Sequence, residues 1–419
     1  MRSLLIVLAI AVAFAASESV TRYDGFKVYR LTPETEQQIQ LLTLLQNSNS
    51  DLDFWDGVGG PGKTTDVMVS SERLNDFIMM MERSGIPMEV FMDDVQKNID
   101  LAGTPISYNR GQKAPINWTE YYRLDGIYDW LNDLVIANPL IASTIDLGLS
   151  YEGRQIKALK LTFGSGRRAV YVEGGIHARE WISPATTTYL INELLNSQDA
   201  AIRALAQSYD WYIVPVANPD GYEFTYTQTR LWRKTRTPYP LCSGADMNRN
   251  WDVFWGTEGT STLTCSETYG GPNAFSEKET VVLSEFIKSI GSQLDVFISF
   301  HSYGQKMLMP YGHTLEHLDN YDDVYKVGQA AIKALAVRYN TQYEVGNTAE
   351  TVYKHSGGTM DWVKKTYQVP IAFTYELRDT GRNGFVLPPS EIIPNCLEVI
   401  DSIVALFNEG KNLGLTTPA

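Results

Sequence analysis

From Ile156 onward, runs rich in Val, Ile and Phe alternate with longer helical patterns, and three of those runs end in or next to a histidine or a glutamate. Strands are expected at 156–161, 169–173, 211–216, 296–300 and 371–375, and helices at 184–195, 321–339 and 391–407. Apolar runs without polar alternation mark strands buried on both faces, so helices must cover both sides of one sheet. The expected fold is therefore α/β, a doubly wound, mostly parallel (mixed) sheet. In such sheets ligands collect outside the carboxyl ends of the strands. Chemistry is expected at that edge.

The rest of the 419 residues narrows the class. At 44% hydrophobic and 11% aromatic the chain can bury a core, and a formal charge of −14 argues against a phosphate-backbone binder, so no nucleic acid partner is expected. Arg2, the apolar run Leu4–Phe14 and the small-x-small pattern Ala13-Phe14-Ala15 read as a signal peptide over residues 1–15. That implies a secreted, extracellular protein that leaves no membrane anchor behind. The sequon Asn117-Trp118-Thr119 fits the same compartment. Three cysteines allow at most one bridge and leave one thiol.

Residues 17 to about 95 follow another rhythm: a strand at 27–31, a helix opening at Thr32-Pro33 and running through Leu45, strands at 53–55 and 66–69, a helix from Ser70 to Gly85, and a strand at 88–91. The order βαββαβ predicts a small α+β, ferredoxin-like unit. It holds no histidine or cysteine and no clustered polar site, which reads as packaging rather than machinery. Between Asp100 and Trp118 the patterns stop, in a polar stretch with Arg110 and Lys113. Such linkers are where proteases cut. An activating trypsin-like protease is expected to cut after Arg110, with Lys113 as second choice.

Gly174-Gly175-Ile176-His177-Ala178-Arg179-Glu180 follows the strand at 169–173, His301 ends another strand, and Glu376 a third. Two imidazoles and a carboxylate, His177, Glu180 and His301, make a set for one Zn²⁺ per chain, with the fourth position left open as in catalytic sites. Glu376 is then a spare acid, placed to take a proton from zinc-bound water during attack on a carbonyl and pass it to the leaving amine. Arg179, Arg233 and Arg249, the last beside Asn248, offer bidentate forks to a carboxylate.

Five motifs, Gly175-Ile176-His177-Ala178-Arg179-Glu180-Trp181, Leu231-Trp232-Arg233-Lys234-Thr235-Arg236, Asp246-Met247-Asn248-Arg249-Asn250-Trp251, Ser299-Phe300-His301-Ser302-Tyr303 and Phe373-Thr374-Tyr375-Glu376-Leu377-Arg378-Asp379, resemble those of the secreted zinc metallocarboxypeptidases of the pancreatic A/B type, in family order. The resemblance covers essentially residues 117–410. It implies an exopeptidase made as a zymogen: an inhibitory prosegment over 16–110 and a catalytic domain over 111–419.

By motif, the resemblance gives zinc to His177, Glu180 and His301, the general base to Glu376 and oxyanion stabilisation to Arg233. Asn248, Arg249 and Tyr353 would clasp the substrate's terminal carboxylate, with Arg179 and Tyr303 lining subsites further back. Asp246 would orient a zinc histidine. Cys242 and Cys265 would pair, leaving Cys396 as a buried thiol. Met360 stands where the family sets charge preference, which implies release of aliphatic or aromatic C-terminal residues. Thr348 and His355 depart from the A-type pattern at positions filled by small or branched apolar residues. A broader or B-type (basic-residue) preference is the alternative. Peptide C-termini as substrate, proteinaceous carboxypeptidase inhibitors as partners and a monomeric state complete the expectation.

Three rival readings carry less. His313-Thr314-Leu315-Glu316-His317 spells H-x-x-E-H, an endopeptidase motif, but Gly312 precedes it and little apolar periodicity seats a helix there. A zinc deacylase of similar fold would not need the prosegment or the Arg233, Asn248 and Arg249 set. A non-enzymatic relative would lack a ligand or the base, and none is missing.

Overall fold

The computed structural model of the chain describes residues 20–48, 52–103 and 116–418. The signal peptide read at 1–15 and the expected cut at Arg110, with Lys113, lie outside the described residues.

The first unit pairs β1 (Lys27–Leu31), β2 (Leu52–Phe54), β3 (Thr65–Val69) and β4 (Met88–Met92) antiparallel in the order β2-β3-β1-β4. Helices Glu36–Gln46 and Leu74–Ser84 complete the βαββαβ order, and a further helix, Val95–Ala102, follows. The first helix starts later than Thr32-Pro33 suggested. Thr35 and Gln38 form a capping box, which satisfies two backbone donors at once and so fixes the start. The second begins at Leu74 after a turn closed by Arg73 N–H to Ser70 carbonyl, and Gly85 ends it in the left-handed conformation.

Side-chain alternation splits the small sheet. Tyr29, Leu31, Val67 and Val69 pack with Leu42, Phe77 and Met81 of its own two helices. Val28, Met68 and Met92 point the other way, into a cluster with Trp55 and with Leu231, Tyr303, Phe385 and Val386 of the second unit. Each large apolar side chain buried there contributes about 1.5–3 kcal/mol. The second face of the sheet is thus the docking face.

The second unit is an eight-stranded mixed sheet: β5 (Ala142–Leu149), β6 (Gln155–Leu161), β7 (Ala169–Gly174), β8 (Asp210–Val214), β9 (Leu294–Ser302), β10 (Lys306–Met309), β11 (Glu344–Asn347) and β12 (Ile371–Leu377), ordered β11-β10-β12-β9-β7-β8-β6-β5. The central run β12-β9-β7-β8 is parallel, whereas β10 pairs antiparallel with β12, and β6 antiparallel with β8 and β5. Helices Ile182–Asn196, Tyr321–Tyr339 and Ile392–Asn412 cover one face, packing on Val170, Val172 and Ile298. Helices Lys278–Ile290 and Thr359–Tyr367 cover the other, on Tyr171, Val214 and Phe297. Every residue of β7 and β9 is buried, as unbroken apolar runs require. No helix among the described residues is long and apolar enough to cross a membrane.

Candidate active site

Where β7 ends, Gly175 takes φ +67°, and a Cβ there would stand 3.1 Å from Pro184 Cγ and 3.3 Å from Val216 Cα. Only glycine makes this turn, and it carries the chain to His177 and then to Glu180, just before the helix Ile182–Asn196. His301 and Glu376 are direct partners in the parallel β9–β12 ladder, so both open at the same carboxyl edge.

His177 Nδ1 lies 2.8 Å from Glu180 Oε1, and His301 Nδ1 lies 3.1 Å from His177 Nδ1 and 3.2 Å from Glu180 Oε2. Among the described residues these three form the one group of His, Cys, Asp or Glu whose ligand atoms converge, all within 4.8 Å. Two imidazole nitrogens and a carboxylate oxygen aimed at one point are the donor set Zn²⁺ prefers, and three such ligands leave a fourth position open. The residues fit one metal ion.

The surroundings hold this set in place. His177 Nε2 is 3.0 Å from Asp246 Oδ1, the carboxylate–histidine arrangement that fixes a ligand's tautomer and tilt. Asp246 is fully buried and also accepts from Arg233 Nη2 at 2.8 Å and Nε at 3.2 Å. Burial alone would raise its pKa, but Arg233, His177 and Arg249 outweigh it and hold the carboxyl well below its ordinary value. Glu180 is likewise lowered, with His177 and His301 overcoming burial, while Glu180 in turn raises His301. Burial pushes Glu376 the other way, up to about 8, against the pull of His301. One acid is kept ionised for a cation and its neighbour is poised near neutrality.

Arg249 reaches Tyr353 Oη from Nη2 at 3.3 Å and is anchored by Nε to Gly259 carbonyl and Nη1 to Asn248 carbonyl. Asn248 Oδ1 accepts from Thr359 N–H. A cavity of about 370 Å³ brings together His177, Glu180, Arg233, Asn248, Arg249, Tyr303, Tyr353 and Glu376. His355 lines the cavity as well, and Met360 is buried, its sulfur accepting from Thr374 Oγ1 at 3.5 Å.

The remaining wall comes from the first unit. Asp53 meets Arg179 Nη1 at 3.2 Å, and Asp66 accepts a 2.6 Å bond from Tyr303 Oη while forming a bidentate pair with Arg30. Gly57 lies against the Tyr353 ring, and Asp56 faces the cavity. Sequence reasoning found no clustered polar site in this unit. The three aspartates flanking the glycine-rich turn of residues 57–62 were the available signal, but Arg179 and Tyr303, the second-unit partners of Asp53 and Asp66, lie more than a hundred residues away. Glu173, also missed, is buried behind the edge, where its two oxygens accept from Ser299 and Tyr171.

The H-x-x-E-H run builds no site. His313 turns to Asp361 and His317 to Glu350, and their rings stack on Phe254 and Tyr321 respectively. Cys242 and Cys265 are bonded, and Cys396 is a buried free thiol whose pKa burial pushes up to about 12.

Three converging ligands opening onto a cavity beside an unpaired acid place the chain among metal-dependent hydrolases. Residues 127–402 match the zinc carboxypeptidase family and residues 29–101 the carboxypeptidase activation peptide, so the chain belongs to the zinc carboxypeptidases and carries their activation peptide. It is 44% identical to zinc carboxypeptidase A 1 of Anopheles gambiae, over 97% of this chain and 94% of that one. The crystal structure of carboxypeptidase A from Helicoverpa armigera superposes with a TM-score of 0.84 at 27% identity, covering 93% of this chain and 98% of that one. Bovine thrombin-activatable fibrinolysis inhibitor, solved in complex with tick carboxypeptidase inhibitor, gives a TM-score of 0.67 at 33% identity over 70% of this chain and 99% of that one.

Proposed function

We propose that the chain is a secreted zymogen of an A-like metallocarboxypeptidase that releases preferentially hydrophobic, aliphatic or aromatic, C-terminal residues. The observation that carries this reading is one cavity lined at once by the metal-binding group, the acid Glu376 and the cluster Asn248, Arg249 and Tyr353. Asn248, Arg249 and Tyr353 bind the terminal carboxylate, which confines cleavage to chain ends. Arg179 and Tyr303 hold residues further back. Bound Zn²⁺, held by His177, Glu180 and His301, supplies Lewis-acid polarisation of the scissile carbonyl and acidifies a water. Glu376 accepts the proton that water loses and returns it to the departing amine as the C–N bond breaks. Arg233, fixed by Asp246, faces the charge that develops on the carbonyl oxygen.

Asp53, Asp66 and Gly57 occupy the cleft walls that a peptide would use, so residues 16–110 act as the inhibitory prosegment. A trypsin-like protease cutting after Arg110 releases the catalytic domain, residues 111–419, as a monomer. Signal removal after residue 15 sends the precursor out of the cell, where the Cys242–Cys265 bond persists. Proteinaceous inhibitors are expected to enter the same cleft, as the complex of the bovine relative suggests. The test is turnover of a blocked dipeptide with C-terminal Phe, Leu or Lys, before and after tryptic treatment, with and without a chelator. Fast, chelator-sensitive release of Phe or Leu only after trypsin is expected; release of Lys alone, or no end-trimming, overturns the reading.

A further inference from the structure

Beside Glu376 the cleft carries a cation that belongs neither to the metal-binding group nor to the terminal-carboxylate cluster. Lys306 opens β10, where it is the ladder partner of Glu376 in β12 on one side and of Glu344 in β11 on the other. Directly opposed residues of neighbouring strands present their side chains to one face, and all three line the cavity. The Lys306 ammonium makes no hydrogen bond or ion pair among the described residues, so the fold does not neutralise it.

Gly304 fixes where that charge lies. A Cβ at Gly304 would stand 3.8 Å from Lys306 Nζ and 4.0 Å from Glu376 Cβ, and nothing outside the adjacent residues comes closer. The glycine itself lines the cavity, so the ammonium and the stem of Glu376 flank one open patch of cleft wall. Tyr303, which holds substrate residues upstream of the cut in the reading above, is bonded directly to that glycine. The ammonium therefore lies beside both the acid that acts at the scissile bond and the group that holds the residues before it.

In the uncut chain an acid already faces this spot. Asp56 of the activation peptide lines the same cavity. Burial and then Asp66 push its carboxyl up, and of the cations that oppose them Lys306 pulls hardest, ahead of Arg30 and Arg179. When residues 16–110 leave, Arg30, Asp56 and Asp66 go with them, while Lys306 stays on the strand beside the site. A peptide entering the cleft then meets an ammonium whose acidic neighbour has departed. The chain's formal charge of −14 gives no general attraction for acidic peptides, so a preference for them would have to come from a local cation.

We propose that Lys306 is a specificity-determining residue that favours substrates with aspartate or glutamate immediately before the residue released. This rests on the carboxypeptidase reading and adds a second position at which the cleft selects. Lys306 is only half-buried even in the uncut chain, so the pair forms at a partly wet wall and favours glutamate over glutamine by about two- to fivefold in kcat/KM.

The test uses the trypsin-treated enzyme on blocked dipeptides ending in Phe, with Glu, Gln, Lys or Gly before it, and on blocked Gly-Glu. For the native chain we expect Glu-Phe to be cleaved about two- to fivefold faster than Gln-Phe and Lys-Phe to be slowest. The order should flatten at about 1 M salt, where charges are screened beyond about 3 Å. Lys306→Met levels Glu-Phe with Gln-Phe, and Lys306→Glu reverses the order so that Lys-Phe leads. Each ratio is internal to one preparation, so a change in overall rate through the neighbouring Glu376 does not move it. The native ratios and their salt dependence stand even where a variant fails to fold. A native ratio at or below one, or a preference that persists in Lys306→Met, overturns the proposal, while release of Phe leaves the carboxypeptidase reading intact. Faster release of Glu from Gly-Glu than of Phe from Gly-Phe would put the ammonium at the terminal side chain and overturn it too. No release from any of these peptides overturns the reading beneath it.

Discussion

The Tyr303 hydroxyl donates a 2.6 Å hydrogen bond to Asp66, which is held from its other side by the bidentate guanidinium of Arg30. Trp55 meets the same tyrosine ring edge-on at 6.1 Å and Phe91 stacks on it at 6.0 Å, so a residue of the cleft is enclosed by four groups of the activation peptide. Together with Asp53 on Arg179, these contacts close the cleft with matched charge as well as apolar area. The uncut chain is expected to turn over a small blocked dipeptide at least tenfold more slowly than trypsin-treated chain. In a double variant Asp53→Asn, Asp66→Asn that gap narrows several-fold, since a buried charged bond lost on one side costs about 1.5–3 kcal/mol. Equal rates for cut and uncut native chain would remove the inhibitory role.

Replacing Glu376 by Gln preserves shape and removes the carboxylate proposed to accept the proton. A fall in kcat of about 10² to 10⁴ is expected, the usual contribution of a positioned acid–base group. Metal content, measured on the same sample by elemental analysis, should stay at one zinc per chain.

Asp246→Asn keeps a partner for His177 Nε2 but removes the charge that binds Arg233 and steadies the imidazole. Zinc affinity, read by competition with a coloured chelator, is expected to drop about 10–100-fold. Unchanged affinity would show that Asp246 serves Arg233 alone.

Asp56 gives the closed form a pH dependence. Burial, then the charge of Asp66, pushes its carboxyl up to about 7 in the docked state. By linkage, an acid whose pKa is raised in the folded state contributes stability that is fully present below its unfolded value near 4 and is lost as pH rises towards 7. Between pH 4 and 7 the melting temperature of the uncut chain should therefore fall relative to an Asp56→Asn variant, by a few degrees, and the difference should level off above 7. Parallel curves would mean that Asp56 does not change its proton on docking.

The long central strands were legible because they are buried on both faces. The runs read at 156–161, 169–173 and 371–375 lie within one or two residues of β6, β7 and β12. The four-residue strands β10 and β11 carry too few side chains to show a period, and β5 is only partly buried, so all three escaped. The metal-binding group was readable because each member ends or follows a strand. The aspartates of the first unit were invisible: a carboxylate shows its purpose only when Arg179 or Tyr303 is brought to it.

The rung that joins His301 to Glu376 has a consequence for how such an enzyme can diverge. Neighbouring strands sit about 4.8 Å apart whatever their loops do, so the gap between His301 and Glu376 is set by backbone pairing. A slip of one residue in either strand would turn that strand's side chain away from the edge and separate the pair, so intermediate spacings do not exist for mutation to sample. Insertions and exchanges around the rim can retune diet, from one C-terminal residue to another, while the reactive pair stays insulated from that drift.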